Sequence, residues 1–360
     1  MSKVKIILFT MDKTYAQFFS NFMINPENSQ RYSIQIYTEL GVFKENTRNK
    51  KSHILLTDVE LSNEDRLPFE KVITLSEVND SEDNVDSVFK YQPLKDLLTH
   101  VLAKFYENSG KVIPNRTGKN KESIISFYSG SAGAGKTLFA LCFARYLSMQ
   151  GKRVFYLNLE GLHTTSLYFT EEKQSSAEVL YYLKNNKERL ISKIESLKSR
   201  DSLTNIEYFS LPPNPEEMEI LSREEILGLV HALKQTQHYD YIIIDLDSSL
   251  HERNKAALEV STEVFWLLTA DQTSFERSKQ IINEDYLETE LDQAKIHFVL
   301  NKIGETDFDG LNEYNYSIEK RVPFKTAWLE MSEEQKFQSD TKIGESLFQL
   351  LKTHMVKAGV

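Results

Sequence analysis

Cysteine is almost missing from the chain: Cys142 is the single one in 360 residues, which excludes an intramolecular disulfide and fits a reducing compartment. Nowhere do roughly 20 apolar residues run without interruption, the length a membrane-spanning helix needs. A basic surplus is missing too, with 43 Lys and Arg against 53 Asp and Glu. The net charge of −10 gives no global attraction to a phosphate backbone, so no specific nucleic-acid partner is expected. The start, Met1-Ser2-Lys3-Val4-Lys5 followed by Ile6-Ile7-Leu8-Phe9, lacks the small-residue cleavage site of a secretory leader, and charged Asp12 and Lys13 follow at once. It reads as a first strand, and the expected location is cytoplasmic. No tandem repeat or low-complexity tract is visible.

What is present is alternation on two scales, in a length that suits two domains. Short apolar runs at Val4–Phe9, Ile34–Tyr37, Ile54–Leu56, Val72–Leu75 and Val88–Phe89 alternate with stretches of helical period such as Leu94, Leu97, Leu98 and Val101. Residues 107–121 are rich in Gly, Asn and Lys, with only Val112 and Ile113 as apolar side chains, and read as a linker. Beyond them, Ile124–Tyr128, Val154–Leu157, Tyr241–Ile244, Val264–Leu268 and His297–Leu300 are candidate buried strands separated by longer helices. The expected fold class is α/β throughout: two doubly wound parallel-sheet domains, at residues 1–106 and 122–360. Glu171–Arg200 reads as one long helix or a pair. Its basic second half, from Lys184 to Arg200, is either a solvated face or a contact surface for an anionic partner.

Gly130-Ser131-Ala132-Gly133-Ala134-Gly135-Lys136-Thr137 satisfies G-x-x-x-x-G-K-[ST] and lies between a strand and a helix, where that pattern must lie. Small residues let backbone N–H groups, through Leu138, wrap a β-phosphate. Lys136 reaches the β- and γ-phosphates, and the Thr137 hydroxyl is a Mg²⁺ ligand. Downstream, Tyr239-Asp240-Tyr241-Ile242-Ile243-Ile244-Asp245 is an apolar strand ending in a carboxylate, and Asp245 is the second expected Mg²⁺ ligand. ATP and Mg²⁺ are therefore the expected cofactors.

In motif order, residues 123–350 resemble the MinD/ParA-type ATPases: the phosphate loop, the strand Arg153–Leu157, the strand ending at Asp245, then Val264–Thr269, then Phe298-Val299-Leu300-Asn301-Lys302. The resemblance implies that Asn301 reads the adenine edge, that Pro323, in Val322-Pro323-Phe324, packs near the base, and that Lys136, Glu160 and Asp245 carry catalysis. Two departures stand out. Ser131 occupies the position of an extra loop lysine that reaches a partner's phosphates across a dimer, and Asn158-Leu159-Glu160 replaces the usual D-x-D. Asn158 cannot act as a base, so hydrolysis is expected to be slow, with Glu160 keeping an acidic role.

Residues 3–105 resemble response-regulator receivers, with Asp58 at the phosphoacceptor position, Asp12 as the only carboxylate after the first strand, Thr74 and Ser76 competing for the hydroxyl position, and Lys90 ending the fifth strand. Met11 stands where a second carboxylate is expected, so Mg²⁺ would be poorly held and Asp58 is a candidate phosphoacceptor remnant. A degenerate receiver ahead of a MinD-like ATPase is similar to the TadZ/CpaE proteins of Flp/Tad pilus assembly. That resemblance implies a homodimer, pilus, secretion or polar-localisation proteins as partners, and peripheral residence at the membrane or cell pole. Partition-type ATPases and a non-hydrolysing, nucleotide-holding scaffold are the alternatives. The run Leu347-Phe348-Gln349-Leu350-Leu351 near the C-terminus suits either packing on the sheet or a membrane-surface helix.

Overall fold

A computed structural model of the chain describes residues 3–25, 29, 32–48, 52–78, 86–108, 122–169, 176–185, 190–211, 214–236, 238–283, 292–304, 313–314 and 316–357. Most of the expected linker, 107–121, lies outside them. The chain divides into two compact units, Met1–Asn120 with Glu188–Ser196, and Lys121–Lys187 with Leu197–Val360.

The first unit is built on five strands, β1 (Val4–Phe9), β2 (Tyr32–Tyr37), β3 (Ser52–Thr57), β4 (Phe69–Ser76) and β5 (Ser87–Phe89), all parallel in the order β2-β1-β3-β4-β5. This is the flavodoxin-like doubly wound order, in which ligands sit beyond the carboxyl ends of the strands. The sheet is apolar on both faces. Ile6, Leu8, Ile54 and Leu56 pack with Leu97, Val101 and Phe105 of the last helix on one side, while Ile7, Phe9, Leu55 and Phe43 pack on the other. Period-two alternation explains both clusters, because neighbouring residues of one strand face opposite ways. Helix α1 (Lys13–Met23) starts where the Asp12 carboxylate accepts a hydrogen bond from the Tyr15 amide at 3.0 Å.

The second unit carries an eight-stranded sheet in the order β13-β12-β11-β6-β10-β7-β9-β8. Six of its strands are parallel: β6 (Ser123–Tyr128), β7 (Val154–Asn158), β10 (Tyr241–Asp245), β11 (Glu263–Thr269), β12 (Ile296–Ile303) and, at the edge, β13 (Ile318–Pro323). Only the two-residue pair β8 (Ser199–Arg200) and β9 (Glu207–Tyr208) runs antiparallel. One face is covered by the helix Lys136–Met149 and by the C-terminal helix Lys342–Lys357, with Phe139, Phe143, Leu347 and Leu351 meeting Phe127, Phe265 and Val299 of the sheet. Leu347 is fully buried there. The two helices approach so closely that a Cβ on Gly344 would collide with the Cys142 carbonyl. The C-terminal run is thus core on its buried side.

Of the two readings of Glu171–Arg200, the pair holds: helices span Glu178–Asn185 and Leu190–Leu197, except that Arg200 at its end lies in β8. The last cations of the stretch are not a solvated helix face. Lys198 pairs with Glu207 at 2.9 Å, and Arg200 donates to Asn205 at 3.0 Å.

Candidate functional site

Register brings the second site together. Asp245 closes β10 opposite Phe127 of β6 and Asn158 of β7, so the loops after all three strands open at one level. The loop after β6 turns through two left-handed glycines, Gly133 (φ 71°) and Gly135 (φ 97°), a backbone open to glycine and costly for other residues. Gly135 also lies against Asn301, whose amide nitrogen would sit 2.7 Å from any added Cβ. At Gly130 a Cβ would meet Ile281 at 2.8 Å. Both glycines are therefore required by packing, which holds the loop against Asn301 on one side and Ile281 on the other.

Around this loop the functional groups converge. Lys136, the first residue of its helix, donates to the Ser248 hydroxyl at 2.8 Å, and Thr137 donates to Glu160 at 3.4 Å. Asp245 is fully buried; one oxygen accepts from the Tyr156 hydroxyl at 2.8 Å and the other has no partner. Burial, and then the negative charge of Glu160, push the Asp245 carboxyl up to about 8. Burial also raises Glu160, and burial lowers Lys136 against the pull of Asp245, Glu160 and Asp247. The buried, orphaned oxygen of Asp245, together with nearby Glu160 and the Thr137 hydroxyl that meets it, is a set of oxygen donors that a divalent cation would satisfy.

The other expected residues are placed as follows. Ala132 is exposed at the loop tip, Ala134 is buried, and Leu138 is buried in the core, leaving its backbone alone for a ligand. Ser131 is 7% exposed, with its hydroxyl unpartnered. Asn301 donates to the Ala134 carbonyl at 2.8 Å, tying β12 to the loop. Pro323 ends β13, opposite Ile303, beside the buried Val322. Asn158 has no acidic role: its amide donates to Thr165 at 3.2 Å, and its oxygen accepts the Glu160 N–H at 2.8 Å.

Several participants stand outside the sequence motifs. Tyr156 reads as an ordinary core residue of an apolar strand. Asp247, two residues past Asp245, accepts from the amides of Gly161 at 3.3 Å and Ser249 at 2.9 Å and pairs with Arg253. Burial would raise its carboxyl, but Ser249, Asn254 and Arg253 bring it down to about 2. Arg253 is itself buried, also donating to the carbonyls of Leu159 at 2.9 Å and Met218 at 3.2 Å. Lys302, left-handed at φ 57°, donates to the Gly133 carbonyl at 2.7 Å. The spacing Asp-Leu-Asp and the dipeptide Asn-Lys were visible in the sequence; the contacts were not.

In the first unit, Phe9 lies opposite Thr57, so Thr10 and Asp58 emerge side by side. Thr10, rather than Thr74 or Ser76, supplies the hydroxyl that meets Asp58, at 2.7 Å; Ser76 donates to the Val78 carbonyl instead. Lys90 is buried and bridges Asp58 at 2.9 Å and Asp12 at 3.3 Å. Burial would depress its amine, but the two carboxylates hold it above the usual lysine range. Met11 points outward, 59% exposed.

With this geometry in view, comparison with known proteins places the larger unit. A family model described as an AAA domain matches residues 122–293. A ParA family ATPase from Chlorobium tepidum superposes with a TM-score of 0.52 at 19% identity, over 63% of this chain and 96% of that one. The larger unit shares its α/β parallel-sheet fold with that protein. In sequence, the chain is 26% identical over 147 residues to a protein named arsenical pump-driving ATPase 2 of Aquifex aeolicus, covering 35% of this chain and 46% of that protein. It is 28% identical over 160 residues to a protein named septum site-determining protein MinD of Emiliania huxleyi, covering 44% and 56%. The chain spans about half the length of the curated relatives it matches. Among the described residues no helix is long and apolar enough to cross a membrane.

Proposed function

We propose that the chain binds ATP with Mg²⁺ at the loop between β6 and the helix Lys136–Met149, hydrolyses it slowly, and uses the bound state to localise or organise a cellular assembly. The observation that carries this is the convergence of Lys136, Thr137, Glu160 and the half-satisfied, buried Asp245 on a left-handed glycine loop. Thr137 and Asp245 are the groups that would hold Mg²⁺, which when bound neutralises phosphate charge. Lys136 leaves Ser248 for the phosphates, Asn301 and Pro323 border the base, and Glu160 orients the attacking water. Asn158, whose amide is already engaged with Thr165, offers no second carboxylate, and this supports slow turnover.

The first unit is read as a receiver-like domain with the linker and ATPase domain following at 107–121 and 122–360. Its strand order and the cluster of Asp12, Asp58 and Lys90 support that reading, and Met11, an exposed thioether where a second carboxylate is expected, supports a remnant rather than a working phosphoacceptor. This order of domains supports a place in Flp/Tad-type pilus assembly, in the cytoplasm or at the membrane surface, with secretion or polar-localisation proteins as partners. The working state is a homodimer. Because Ser131 cannot supply a charged contact to a partner's phosphates, association depends weakly on nucleotide.

Calorimetric titration of ATP·Mg²⁺ into the parent and Lys136→Ala tests the site: binding is expected to vanish in the variant, and an affinity within a few-fold of the parent would remove the assignment. Sedimentation of the full chain with and without ATP·Mg²⁺ tests the dimer. A strict monomer that dimerises tightly only with nucleotide contradicts the argument from Ser131.

A further inference from the structure

At the far edge of the same sheet, four side chains from three strands and the C-terminal helix meet. His297 of β12 is fully buried; its Nδ1 lies 3.0 Å from Glu319 Oε2 on β13, and its Nε2 lies 2.8 Å from Glu263 Oε2 on β11. His354, in the last turns of the helix Lys342–Lys357, brings its Nε2 to 3.1 Å from the same Glu319 oxygen. The two imidazoles stand edge to face, with centroids 4.4 Å apart. One ligand atom from each of His297, Glu319 and His354 falls within 4.8 Å of the others.

We propose that His297, Glu319 and His354 bind a divalent transition cation, of which Zn²⁺ is the best match, with Glu263 orienting His297. Two imidazole nitrogens and a carboxylate oxygen are the donor set that zinc prefers over Mg²⁺ or Ca²⁺. A tetrahedral centre with bonds of about 2.0–2.1 Å sets its ligand atoms about 3.3 Å apart. The two contacts to Glu319, at 3.0 and 3.1 Å, open by a few tenths of an ångström to admit it, while the two imidazole nitrogens, within 4.8 Å of each other, adjust to the same spacing. Glu263 is placed as the outer carboxylate of a metal-bound histidine: it faces the other ring nitrogen, which fixes the ring and leaves Nδ1 for the metal.

A second, independent observation is the backbone under Glu319. The pairing of β12 with β13 slips between Phe298 opposite Ile318 and Val299 opposite Lys320, so Glu319 is the extra residue of a bulge. Bulges re-aim a side chain that regular pleating would send elsewhere, and they concentrate at functional places. Here the bulge turns Glu319 onto the face where His297 and His354 lie. Glu319 also lines an open groove of about 570 Å³ with Ser346, Gln349 and Thr353, so one of the three ligand residues is reached from solvent. Bound metal would fasten the end of the C-terminal helix to the sheet edge, a structural role separate from the nucleotide site.

The test uses the full chain without a polyhistidine tag, stripped with chelator and free of nucleotide. Zn²⁺ is titrated calorimetrically, and Co²⁺ is added in parallel to read the visible absorption of a four-coordinate centre. One ion per chain is expected, with a tetrahedral Co²⁺ spectrum. His354→Ala, and the bulkier His354→Gln should the first fail to fold, are expected to lose it. Glu263→Gln is expected to weaken binding about 10–100-fold, and Lys136→Ala to leave it unchanged. Absence of Zn²⁺ binding in the parent, or retention of parental affinity in a folded His354 variant, would overturn the proposal and leave a cluster held by hydrogen bonds alone.

Discussion

Replacing Gly135 by alanine isolates how β12 is coupled to the phosphate loop. At φ 97° an added Cβ meets the left-handed penalty, about 1–2 kcal/mol, offset by about 0.4–1 kcal/mol from the stiffer unfolded chain. That methyl would also sit 2.7 Å from the Asn301 amide nitrogen, forcing the amide off the Ala134 carbonyl. Asn301 is only 3% exposed, so water cannot replace the lost bond, and an unsatisfied buried polar group costs about 1–3 kcal/mol more. The sum for Gly135→Ala is roughly 1–5 kcal/mol, centred on about 3 kcal/mol. Gly133→Ala is the control, since it shares the left-handed φ of 71° but has nothing within 4 Å; it should cost roughly 1 kcal/mol or less. The chain's 2 tryptophans, Trp266 and Trp328, both lie in the larger unit, so urea unfolding followed by their fluorescence reads that unit alone. In an Asn301→Ala background the extra cost at Gly135 should disappear, because the collision has no partner. Equal losses at Gly133 and Gly135, or an undiminished loss in the Asn301→Ala background, would refute the coupling.

Two further outcomes test the packing of each unit. Lys90→Ala should destabilise the first unit by roughly 3 kcal/mol, because Asp58 loses the buried cation that neutralises it; adding Asp58→Asn should recover most of that. Hydrogen exchange of the β1 and β3 amides is the readout, and unchanged protection in Lys90→Ala would contradict it. Cys142 is buried, and burial pushes its thiol up to about 12, so the folded protein should not react with a thiol reagent at mildly alkaline pH but should react fully in urea. Native reaction at the rate of a free thiol would mean that the helix Lys136–Met149 is not covered as described.

The sequence by itself determined the local grammar. Val4–Phe9 and Tyr241–Asp245 are strands because short apolar runs between charged and turn-forming residues are buried on both faces of a parallel sheet. The spacing of Gly130, Gly135, Lys136 and Thr137 marks the loop, since only small residues let the backbone approach a phosphate. Asp245 was legible from its place at the end of an apolar strand. The second half of Glu171–Arg200 was not, because a run of cations looks alike on a free helix and on a strand paired with Glu207. The C-terminal run was equally open: helical period shows that Leu347 and Leu351 share a face but not what covers that face, and only the sheet and the helix carrying Phe139 and Phe143 decide it. Tyr156 on Asp245, Lys90 on Asp58 and the bulge that turns Glu319 toward His297 belong to the same class. Each joins residues far apart in the chain through parallel-strand register. Register is a property of strand order and crossover, and no single stretch of sequence carries it.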